Sequence, residues 1–406
     1  MDAKGRGASP GDALASIMAA ASEAVTPDEL AKVVARAAAG EKPRAYIGFE
    51  PSGTAHVGWM VCTDMVRRLV DAGFDVRILL ADWHAQINDK LGGDMAAIQR
   101  CGAYMQECFE ALGAGKVTYV YANELARDPS YWAMVVQVQK HTSLARMRRA
   151  MTIMGRAEDE ADGDMSKFLY PAMQVADIFH MGIDLAYGGL DQRHAHMLAR
   201  DVAPKLGRMP PVAIHTPLVP SLKGTGRMEV GGPAPEETEL FARWITDGKA
   251  RGLDDRAALQ DANRRLNEHR LLTKKMSKSD PGSGIFLHDT QDEIKAKLKA
   301  AHCPAKETDG NPVIDLLRLV VWPRLGQLHR DGPLRFEIHR PEKFGGNKLY
   351  VGYDALVAEY KSGALHPMDL KNGVADALFA LLEPVRAHFK AHPENLAFVQ
   401  GLKRTR

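Results

Sequence analysis

The first half of the chain alternates short apolar runs with longer segments of helical periodicity. The apolar runs predict strands over Arg44–Phe49, Asp75–Ala81, Val117–Tyr121, Asp184–Tyr187 and Val212–Ile214. Helical patterns lie between them, most clearly over Asp94–Leu112 and Tyr131–Met154. This alternation favours an α/β fold with a doubly wound parallel sheet, whose ligands bind beyond the carboxyl ends of the strands.

The two ends of the chain depart from this alternation. Thr26-Pro27-Asp28-Glu29 has the pattern of a helix start, with a Thr cap, Pro at the first position and Glu three residues after the cap. We therefore expect a helical segment over residues 1–43, followed by the α/β domain over residues 44–288. From Asp289 onward the pattern is mainly helical, with Asp292–Ala301, Asn311–Val321 and Met368–Ala391 as the clearest segments, and it predicts a separate domain over residues 289–406.

The composition is that of an ordinary globular protein. The 406 residues suffice for two or three domains, and 45% of them are hydrophobic. The formal net charge is only +2, so any surface for nucleic acid must be a local patch. The four cysteines show no metal-binding spacing, which is typical of free thiols in a reducing cytoplasm. No apolar run is long enough to cross a membrane.

A lysine-rich segment, Lys275-Met276-Ser277-Lys278-Ser279, is followed closely by Pro281 and Gly282. Two compact ammonium groups three residues apart, flanked by the small hydroxyl side chains of Ser277 and Ser279, suit a mobile loop that closes over phosphate. Taken alone, the segment is better explained as a solvated basic loop, and only a second motif changes that interpretation.

A glycine-rich turn lies far upstream, at Gly48-Phe49-Glu50-Pro51-Ser52-Gly53-Thr54-Ala55-His56-Val57-Gly58-Trp59. It follows a predicted strand and precedes a helical pattern that places Val57, Val61 and Met65 on one face. A strand, a glycine-rich turn and a helix N-terminus form a site for an anion, and Gly53 and Gly58 permit close approach of backbone and ligand.

Together these segments resemble the paired HIGH and KMSKS motifs of class I aminoacyl-tRNA synthetases. His56-Val57-Gly58-Trp59 stands for HIGH, with Trp59 in place of the last His, so His56 and Gly58 carry the resemblance. Four further stretches resemble the tyrosyl-tRNA synthetase family of the archaeal and eukaryotic type, namely Ile47–Gly53, Tyr170–Asp177, Gly188–Arg193 and Leu365–Asn372. The sequence does not indicate which residue replaces the last His of the motif in binding ATP.

The resemblance implies a Rossmann-like catalytic domain, with a connective segment near residues 95–165, an insertion near 221–272 and a KMSKS loop at 273–282. It implies a helical anticodon-binding domain over residues 289–406. The expected activity is the ligation of tyrosine to tRNA(Tyr) through tyrosyl-adenylate. ATP is then a substrate accompanied by Mg²⁺, no metal is held by the protein, and a cytoplasmic homodimer is expected to form through the connective segment.

The candidate tyrosine site combines one helix face with two residues from elsewhere. If their segment is helical, the spacing of Tyr170, Gln174 and Asp177 places them on one face. A polar face that points inward is costly unless it binds something. The resemblance implies that Asp177 and Tyr46 bind the phenolic hydroxyl, and that Tyr170, Gln174 and Gln192 hold the α-ammonium group. The alternative is an Asp177 satisfied by the backbone.

For ATP, the resemblance implies contacts from Gly48, Ser52, Gly53, His56, Gly58, Asp191, Lys275, Met276, Ser277 and Lys278. Among these, His56, Gly58, Lys275 and Lys278 are the expected catalytic residues. Asp191 would bind the ribose or else cap the helix that follows it, and an N-terminal carboxylate is favoured there in either case.

Candidate tRNA contacts are more widely spread. Arg146 and Arg149 belong to a basic cluster that a solvated helix face explains equally well. The resemblance implies that Arg193 faces the acceptor end of the tRNA, and that the anticodon is read by Phe344, His366, Met368 and Asp369. An aromatic ring and a carboxylate suit single-stranded RNA. The alternative for His366–Asp369 is a helix cap.

Three other functions compete with this interpretation. A tryptophanyl-tRNA synthetase has the same fold and chemistry, but an indole pocket has no need of the pair Tyr46 and Asp177. A non-catalytic tRNA-binding paralogue is favoured only by Trp59. A nucleotidyltransferase that makes a small-molecule adenylate has no use for the segment His366–Asn372.

Overall fold

A computed structural model describes residues 9–154, 164–224, 237–273, 275–276, 280–328 and 334–402. Its main sheet has the strand order β1-β6-β5-β2-β3-β4. The strands are β1 (Glu23–Val25), β2 (Arg44–Phe49), β3 (Asp75–Leu80), β4 (Thr118–Tyr121), β5 (Leu185–Gly189) and β6 (Val212–Thr216). All neighbouring strands are parallel except β1, which pairs antiparallel with β6. The predicted doubly wound parallel sheet is confirmed, with β1 as an addition at its edge.

Helices connect and cover these strands. They are α1 (Pro10–Ala20), α2 (Pro27–Ala38), α3 (Gly58–Asp71), α4 (Asp82–Ile87), α5 (Met95–Ala111), α6 (Ala122–Leu125), α7 (Pro129–Lys140), α8 (Leu144–Ala150), α9 (Leu169–His180), α10 (Arg193–Val202), α11 (Thr238–Ala250) and α12 (Asp255–Thr273). The capping box predicted at the start of α2 is present, since the Glu29 N–H donates to Thr26 Oγ1 and the Thr26 N–H donates to a carboxylate oxygen of Glu29.

The single helix predicted over Tyr131–Met154 is wrong, because the chain divides it into α7, α8 and a 3₁₀ turn at Met151–Met154. Ser143 stands at the break and its hydroxyl accepts from the Arg146 N–H at 3.3 Å. A serine that bonds the backbone in this way favours a helix start over a helix interior.

The region after Asp289 is mainly helical, as predicted. It contains α13 (Gln291–Ala300), α14 (Pro312–Leu316), α15 (Leu325–Leu328), α16 (Tyr353–Ser362), α17 (Pro367–Leu381), α18 (Glu383–Ala391) and α19 (Glu394–Gly401), with a small hairpin of β7 (Phe336–Ile338) and β8 (Lys348–Tyr350). The helix predicted over Met368–Ala391 is divided at Leu382, where Pro384 begins α18. Proline suits a first helical turn because it lacks the N–H that would otherwise bond.

One continuous apolar core joins this helical region to the sheet. Arg324 is buried against it, and its guanidinium donates to the carbonyl of Met60 at 2.8 Å and to that of Leu112 at 3.2 Å. Met60 lies in α3 and Leu112 ends α5, so the C-terminal region is fixed directly to two helices of the α/β region. The domain boundary near residue 289 stays a prediction.

Within the predicted insertion, α11 and α12 pack on each other around a small core of their own, formed by Phe241, Trp244, Ala262 and Leu266. Arg270 closes this hairpin through a bidentate ion pair with Glu237, with Nη2 2.6 Å from Oε2. α12 also contacts the turn at Leu190–Gln192. The hairpin therefore packs mainly on itself and leads directly into the lysine-rich segment.

Candidate active site

A cleft opens where β2 and β5 end. Its volume is about 660 Å³, and it is lined by Gly48 from β2, by Gly188 and Gly189 from β5 and by the segments that follow both strands. Parallel sheets bind ligands at this edge because several strands deliver their following loops to the same place. All three tyrosine-site candidates that contact this cleft, Tyr170, Gln174 and Gln192, come from elements around β5.

The HIGH-like segment forms one wall of the cleft. The Gly58 N–H donates to Nδ1 of His56 at 3.1 Å, so the imidazole is fixed at the start of α3. A Cβ on Gly58 would lie 2.6 Å from Cε1 of that ring, and no larger residue fits there without displacing it. The partial positive charge of the α3 N-terminus therefore faces the cleft beside the imidazole.

The loop before His56 is also held in place. Gly53 adopts a φ of +113°, which favours glycine, and the Ser52 hydroxyl donates to the carbonyl of Glu50 at 3.1 Å. The Ala55 N–H donates to the hydroxyl of Tyr104 at 3.1 Å. Among the ATP candidates in this loop, Ser52 lines the cleft and Gly53 serves the turn.

Trp59 occupies the position of the last His of HIGH. Its ring is 5% exposed and stacks on Phe109, with ring centroids 5.1 Å apart and planes 8° apart. Phe49 packs against the same ring at 5.4 Å. Trp59 thus lines the cleft and supplies aromatic packing in its wall at the position of the last His of the HIGH motif.

The lysine-rich segment meets the opposite wall. Nζ of Lys275 lies 2.6 Å from Oδ2 of Asp191, and the Met276 N–H donates to the carbonyl of Val219 at 2.9 Å. Lys275 and Asp191, both ATP candidates, are therefore brought together as an ion pair. Ser277 and Lys278 lie outside the described residues. α10 begins at Arg193 without a side-chain cap, so the alternative role of Asp191 as its cap is not observed.

A small side cavity of about 30 Å³ extends from the cleft between β2 and α9. The predicted helix face is confirmed, because α9 presents Tyr170, Gln174 and Asp177 to this cavity, and Tyr46 lines it from β2. The Asp177 carboxylate is fully buried and accepts from the hydroxyl of Tyr131 at 2.8 Å. The alternative of an Asp177 bonded to the backbone is therefore not what holds it.

Several polar atoms around the side cavity lack a hydrogen bond. They are the hydroxyl of Tyr46, Oε1 of Gln174 and Oδ2 of Asp177. His84 Nε2 lies 3.2 Å from Oδ2 of Asp177, but its N–H is not aligned for a hydrogen bond. Because an unpaired buried polar group costs about 1–3 kcal/mol, such a cluster indicates a binding site for a polar ligand group.

Sequence reasoning missed Tyr131 and His84 as neighbours of Asp177. His84 lies in α4, just after the carboxyl end of β3, and that position was the available signal. Burial lowers the pKa of His84, but the carboxylates of Asp177, Glu50 and Asp82 together outweigh it, so the net shift of the pKa is upward. Burial, followed by the charge of Asp177, raises the pKa of Tyr46 above its ordinary value and keeps that phenol protonated.

Glu50 is a second residue that the sequence reasoning passed over. It lines both the cleft and the side cavity, and its Oε1 accepts from the Asn88 amide at 2.9 Å. Burial and then Glu50 raise the pKa of Tyr170 well above its usual range. Gln192 is linked to the residues of the side cavity by the Gln174 amide, which donates to Oε1 of Gln192 at 3.3 Å.

The candidate RNA residues near the cleft are already paired. Arg193 donates to Oε1 of Glu23 at 2.7 Å, and Arg146 lies 2.9 Å from Oδ2 of Asp201. Arg149 is half-buried at the end of α8. These pairs are exposed, and exposed ion pairs contribute little to stability.

The anticodon candidates gather at the start of α17. The His366 side chain caps this helix by accepting from the Met368 N–H at 3.1 Å, so the cap alternative holds for His366. Asp369 lies 3.3 Å from Nη1 of Arg340, which also donates to the carbonyl of Gly346. Phe344 is 60% exposed in the turn that Arg340 ties to the helix. The start of α17 thus combines the helix cap formed by His366 with the exposed ring of Phe344 nearby.

Two features are absent from the described part of the chain. Among those residues, no helix is long and apolar enough to cross a membrane. Within the same residues, no group of three or more His, Cys, Asp or Glu side chains is arranged to hold a metal ion.

The model of the family tRNA synthetases class I (W and Y) matches residues 38–229 and 269–383. The chain belongs to the class I tRNA synthetases. Among curated relatives of this class I synthetase, the tyrosine–tRNA ligase of Aeropyrum pernix is 44% identical over 373 residues, 91% of each chain. The tyrosine–tRNA ligase of Picrophilus torridus is 41% identical over 92% of this chain and 98% of its own length.

Solved structures resemble this class I synthetase over nearly its whole length. Tyrosyl-tRNA synthetase from Pyrococcus horikoshii, in complex with L-tyrosine, has a TM-score of 0.78 and 34% identity, covering 97% of this chain and 100% of that one. The enzyme from Aeropyrum pernix has a TM-score of 0.75 and 38% identity, covering 97% and 98%. Tryptophanyl-tRNA synthetase from Aeropyrum pernix, at 17% identity, 93% and 86% coverage and a TM-score of 0.59, shares the fold alone.

Proposed function

We propose that this class I synthetase is a tyrosine–tRNA ligase, which activates tyrosine with ATP and transfers it to tRNA(Tyr). The curated relatives at 40% identity or more, over nine-tenths of the chain, carry this name. A structure of similar fold and 34% identity contains L-tyrosine.

The observation that carries the choice of tyrosine is the unpaired polar cluster at the side cavity. The Tyr46 hydroxyl can donate and Oδ2 of Asp177 can accept, and neither atom makes a hydrogen bond. A phenolic hydroxyl can bond with both at once, whereas phenylalanine leaves both unpaired. Tryptophan brings a donor but a larger ring. The pair therefore favours tyrosine over either competitor.

The other end of the amino acid meets a different set of groups. We propose that Tyr170, Gln174 and Gln192 bind its α-ammonium group, with the carboxylate of Glu50 nearby. Oε1 of Gln174 is buried without a hydrogen bond, as an acceptor awaiting a donor would be. Glu50 lines both cavities and contributes a negative charge at their junction.

The phosphate end of ATP would lie between the two walls of the cleft. His56 and the α3 N-terminus at Gly58 form one wall, and Lys275 extends from the other. Gly48, Ser52 and Gly53 shape the floor and Asp191 is placed for the ribose. Met276, Ser277 and Lys278 are assigned by motif, the last two outside the described residues. Mg²⁺ would accompany ATP, held mainly by phosphates and water, and it would offset the charge of the phosphates.

The reaction requires no covalent nucleophile from the protein. The carboxylate of tyrosine attacks the α-phosphorus of ATP, the bond to the bridging oxygen breaks, and pyrophosphate leaves with the negative charge. The protein's part is to orient the two substrates and to stabilise that charge. Lys275 would exchange its 2.6 Å ion pair with Asp191 for contacts with the pyrophosphate oxygens.

The RNA contacts and the assembly are proposals of the same kind. Arg146, Arg149 and Arg193 would contact the acceptor arm, whereas Phe344, His366, Met368 and Asp369 would contact the anticodon from the domain over residues 289–406. A cytoplasmic homodimer would form through residues 95–165, where Val136 and Leu144 are each 61% exposed. Large exposed apolar side chains on neighbouring helices suit a surface between subunits.

The first experiment is amino-acid-dependent ATP–pyrophosphate exchange with tyrosine, tryptophan and phenylalanine compared directly. Exchange with tyrosine alone supports the proposal. Exchange with tryptophan would retain the synthetase chemistry but refute the roles given to Tyr46 and Asp177. Absence of exchange with all three would favour a tRNA-binding paralogue without activity, and Trp59→His would then be the first variant to examine.

A further inference from the structure

A second chain of polar groups lies beneath the cleft and takes no part in the chemistry described so far. His215 in β6 and His196 in α10 are both buried, and Nδ1 of His196 lies 2.9 Å from Nε2 of His215. Glu23 stands directly opposite His215 in the β1–β6 pair, with Oε1 2.8 Å from Nδ1 of His215. Arg193 donates to the same oxygen at 2.7 Å. These four side chains connect the surface to the interior.

The inner end of the chain supports the tyrosine site. A Cβ built on Gly188 would lie 3.2 Å from Cε1 of His196, so the imidazole packs against the end of β5. The ring of Tyr46 meets that imidazole edge to face, with centroids 6.3 Å apart. Because Gly188 lines the cleft and Tyr46 lines the side cavity, a shift of His196 would move both walls.

Both imidazoles are neutral at pH 7. Burial, with a smaller contribution from His215, lowers the pKa of His196 well below its ordinary value. Burial also lowers the pKa of His215, to about 4, although the carboxylate of Glu23 opposes it. Each ring therefore has one N–H. If His215 directs its N–H towards Glu23, its other nitrogen accepts from the N–H of His196, so the donors all run towards the carboxylate.

At the surface end of this series of polar groups, Arg193 and His215 compete for the Glu23 carboxylate. Two donors approach one carboxylate oxygen, and the Arg193 bond to Oε1 is well formed. The N–H of His215 is close to that oxygen but not aligned with it, so Nδ1 has no proper hydrogen bond. Arg193 and Glu23 are 44% and 29% exposed, which allows the arginine to leave for another anion. Its departure would let the carboxylate rotate towards His215.

We propose that Glu23, His215 and His196 are positioning residues that couple RNA binding at Arg193 to the tyrosine pocket. The proposal rests on the function proposed above, which assigns Arg193 to the acceptor end of the tRNA. An RNA phosphate competes with Glu23 for the guanidinium group, because arginine forms charge-assisted hydrogen bonds with phosphate as well as with carboxylate. Glu23 then bonds fully to His215, which holds His196 firmly against Gly188 and Tyr46.

Firmer packing of His196 should strengthen tyrosine binding, so bound RNA should lower the dissociation constant of tyrosine, and bound tyrosine should tighten RNA binding by the same factor. The measurement is the KM for tyrosine in ATP–pyrophosphate exchange, with and without saturating tRNA(Tyr) whose terminal ribose has been oxidised with periodate. This RNA occupies the acceptor site but cannot accept the amino acid. In the wild type we expect the RNA to lower the tyrosine KM by roughly fivefold, at the lower end of typical coupling.

Glu23→Gln tests the contested oxygen. A neutral amide no longer holds Arg193 against the RNA, so the RNA-dependent fall in KM should disappear while exchange without RNA continues. The matched control is Glu29→Gln. Glu29 in α2 pairs at 2.8 Å with Arg200 of α10, the helix that begins at Arg193, and among the described contacts it makes no hydrogen bond or ion pair with either histidine. This control also retains a side chain suited to the capping box and should show the full fall.

A second pair of variants examines the inner end. His196→Phe and His215→Phe each keep a ring at the substituted position but remove the hydrogen bond between the two side chains, so both should abolish the RNA-dependent fall while exchange without RNA continues. A role of these rings in packing alone predicts that both variants retain the fall. The proposal is refuted if bound RNA leaves the wild-type KM unchanged, or if Glu23→Gln retains the fall. Loss of tyrosine-dependent exchange in the wild type without RNA would instead refute the proposed function.

Discussion

Asp177→Asn tests the phenol site most directly. The side chain is fully buried, with Oδ1 bonded to Tyr131 and Oδ2 lacking a hydrogen bond. An amide of nearly the same shape can still accept from Tyr131, so the fold should persist. What the variant loses is a charged acceptor for the hydroxyl of the substrate.

The expected loss of kcat/KM follows from the free energy of the hydrogen bond between the substrate hydroxyl and the Asp177 carboxylate. A hydrogen bond to a charged group contributes about 1.5–3 kcal/mol, which corresponds to roughly a 10- to 150-fold loss in kcat/KM. We expect this loss for tyrosine alone. Phenylalanine has no hydroxyl, so its poor kcat/KM should stay unchanged or improve, and the KM for ATP should stay near that of the wild type.

The assay is ATP–pyrophosphate exchange with each amino acid, accompanied by thermal unfolding to detect damage to the fold. Tyr131→Phe is the matched control, because it removes the 2.8 Å bond to Oδ1 but leaves the carboxylate charge in place. Its effect on tyrosine should be smaller. Equal losses for tyrosine and phenylalanine in Asp177→Asn, or an unchanged kcat/KM for tyrosine, would refute the assignment.

Three further predictions concern other parts of the molecule. Lys275→Ala should slow adenylate formation in rapid-quench measurements while tyrosine affinity stays unchanged, and an unaltered rate would remove this lysine from the mechanism. Burial lowers the pKa of His288 to about 4, so stability should fall as the pH drops from 6.5 towards 4, because the unfolded chain binds more protons there. His288→Gln should remove up to about 3 kcal/mol of that acid loss in denaturant titrations at pH 4 and pH 7, and an unchanged difference would contradict the cause. Asp369→Asn should weaken aminoacylation of tRNA but leave pyrophosphate exchange intact, whereas equal losses would indicate misfolding.

The sheet was predictable where burial alone dictates a strand. The bounds of β2 agree with the apolar run Arg44–Phe49, because a strand covered on both faces is apolar throughout. β1 was missed since Glu23-Ala24-Val25 is short and half-buried, and only its pairing with β6, far along the chain, makes it a strand. Local pattern cannot reveal such a partner.

The same difference between local sequence pattern and distant tertiary contact explains which residues of the candidate site could be predicted. The face of Tyr170, Gln174 and Asp177 follows from helical spacing, which is local. Tyr131 and His84 reach Asp177 only through tertiary packing, across 46 residues in the case of Tyr131, and no spacing rule relates them. The roles of the candidate residues came from the family resemblance and not from periodicity.

The buried guanidinium of Arg324 limits how this enzyme can be divided. Cutting the chain near residue 288 would leave the carbonyls of Met60 and Leu112 without their donor and would uncover the apolar sides of α3 and α5. A gene fragment for the catalytic half would therefore yield a product prone to aggregation. For the same reason, an RNA-reading half taken from another synthetase could be grafted on only if it brought its own arginine and a matching apolar surface.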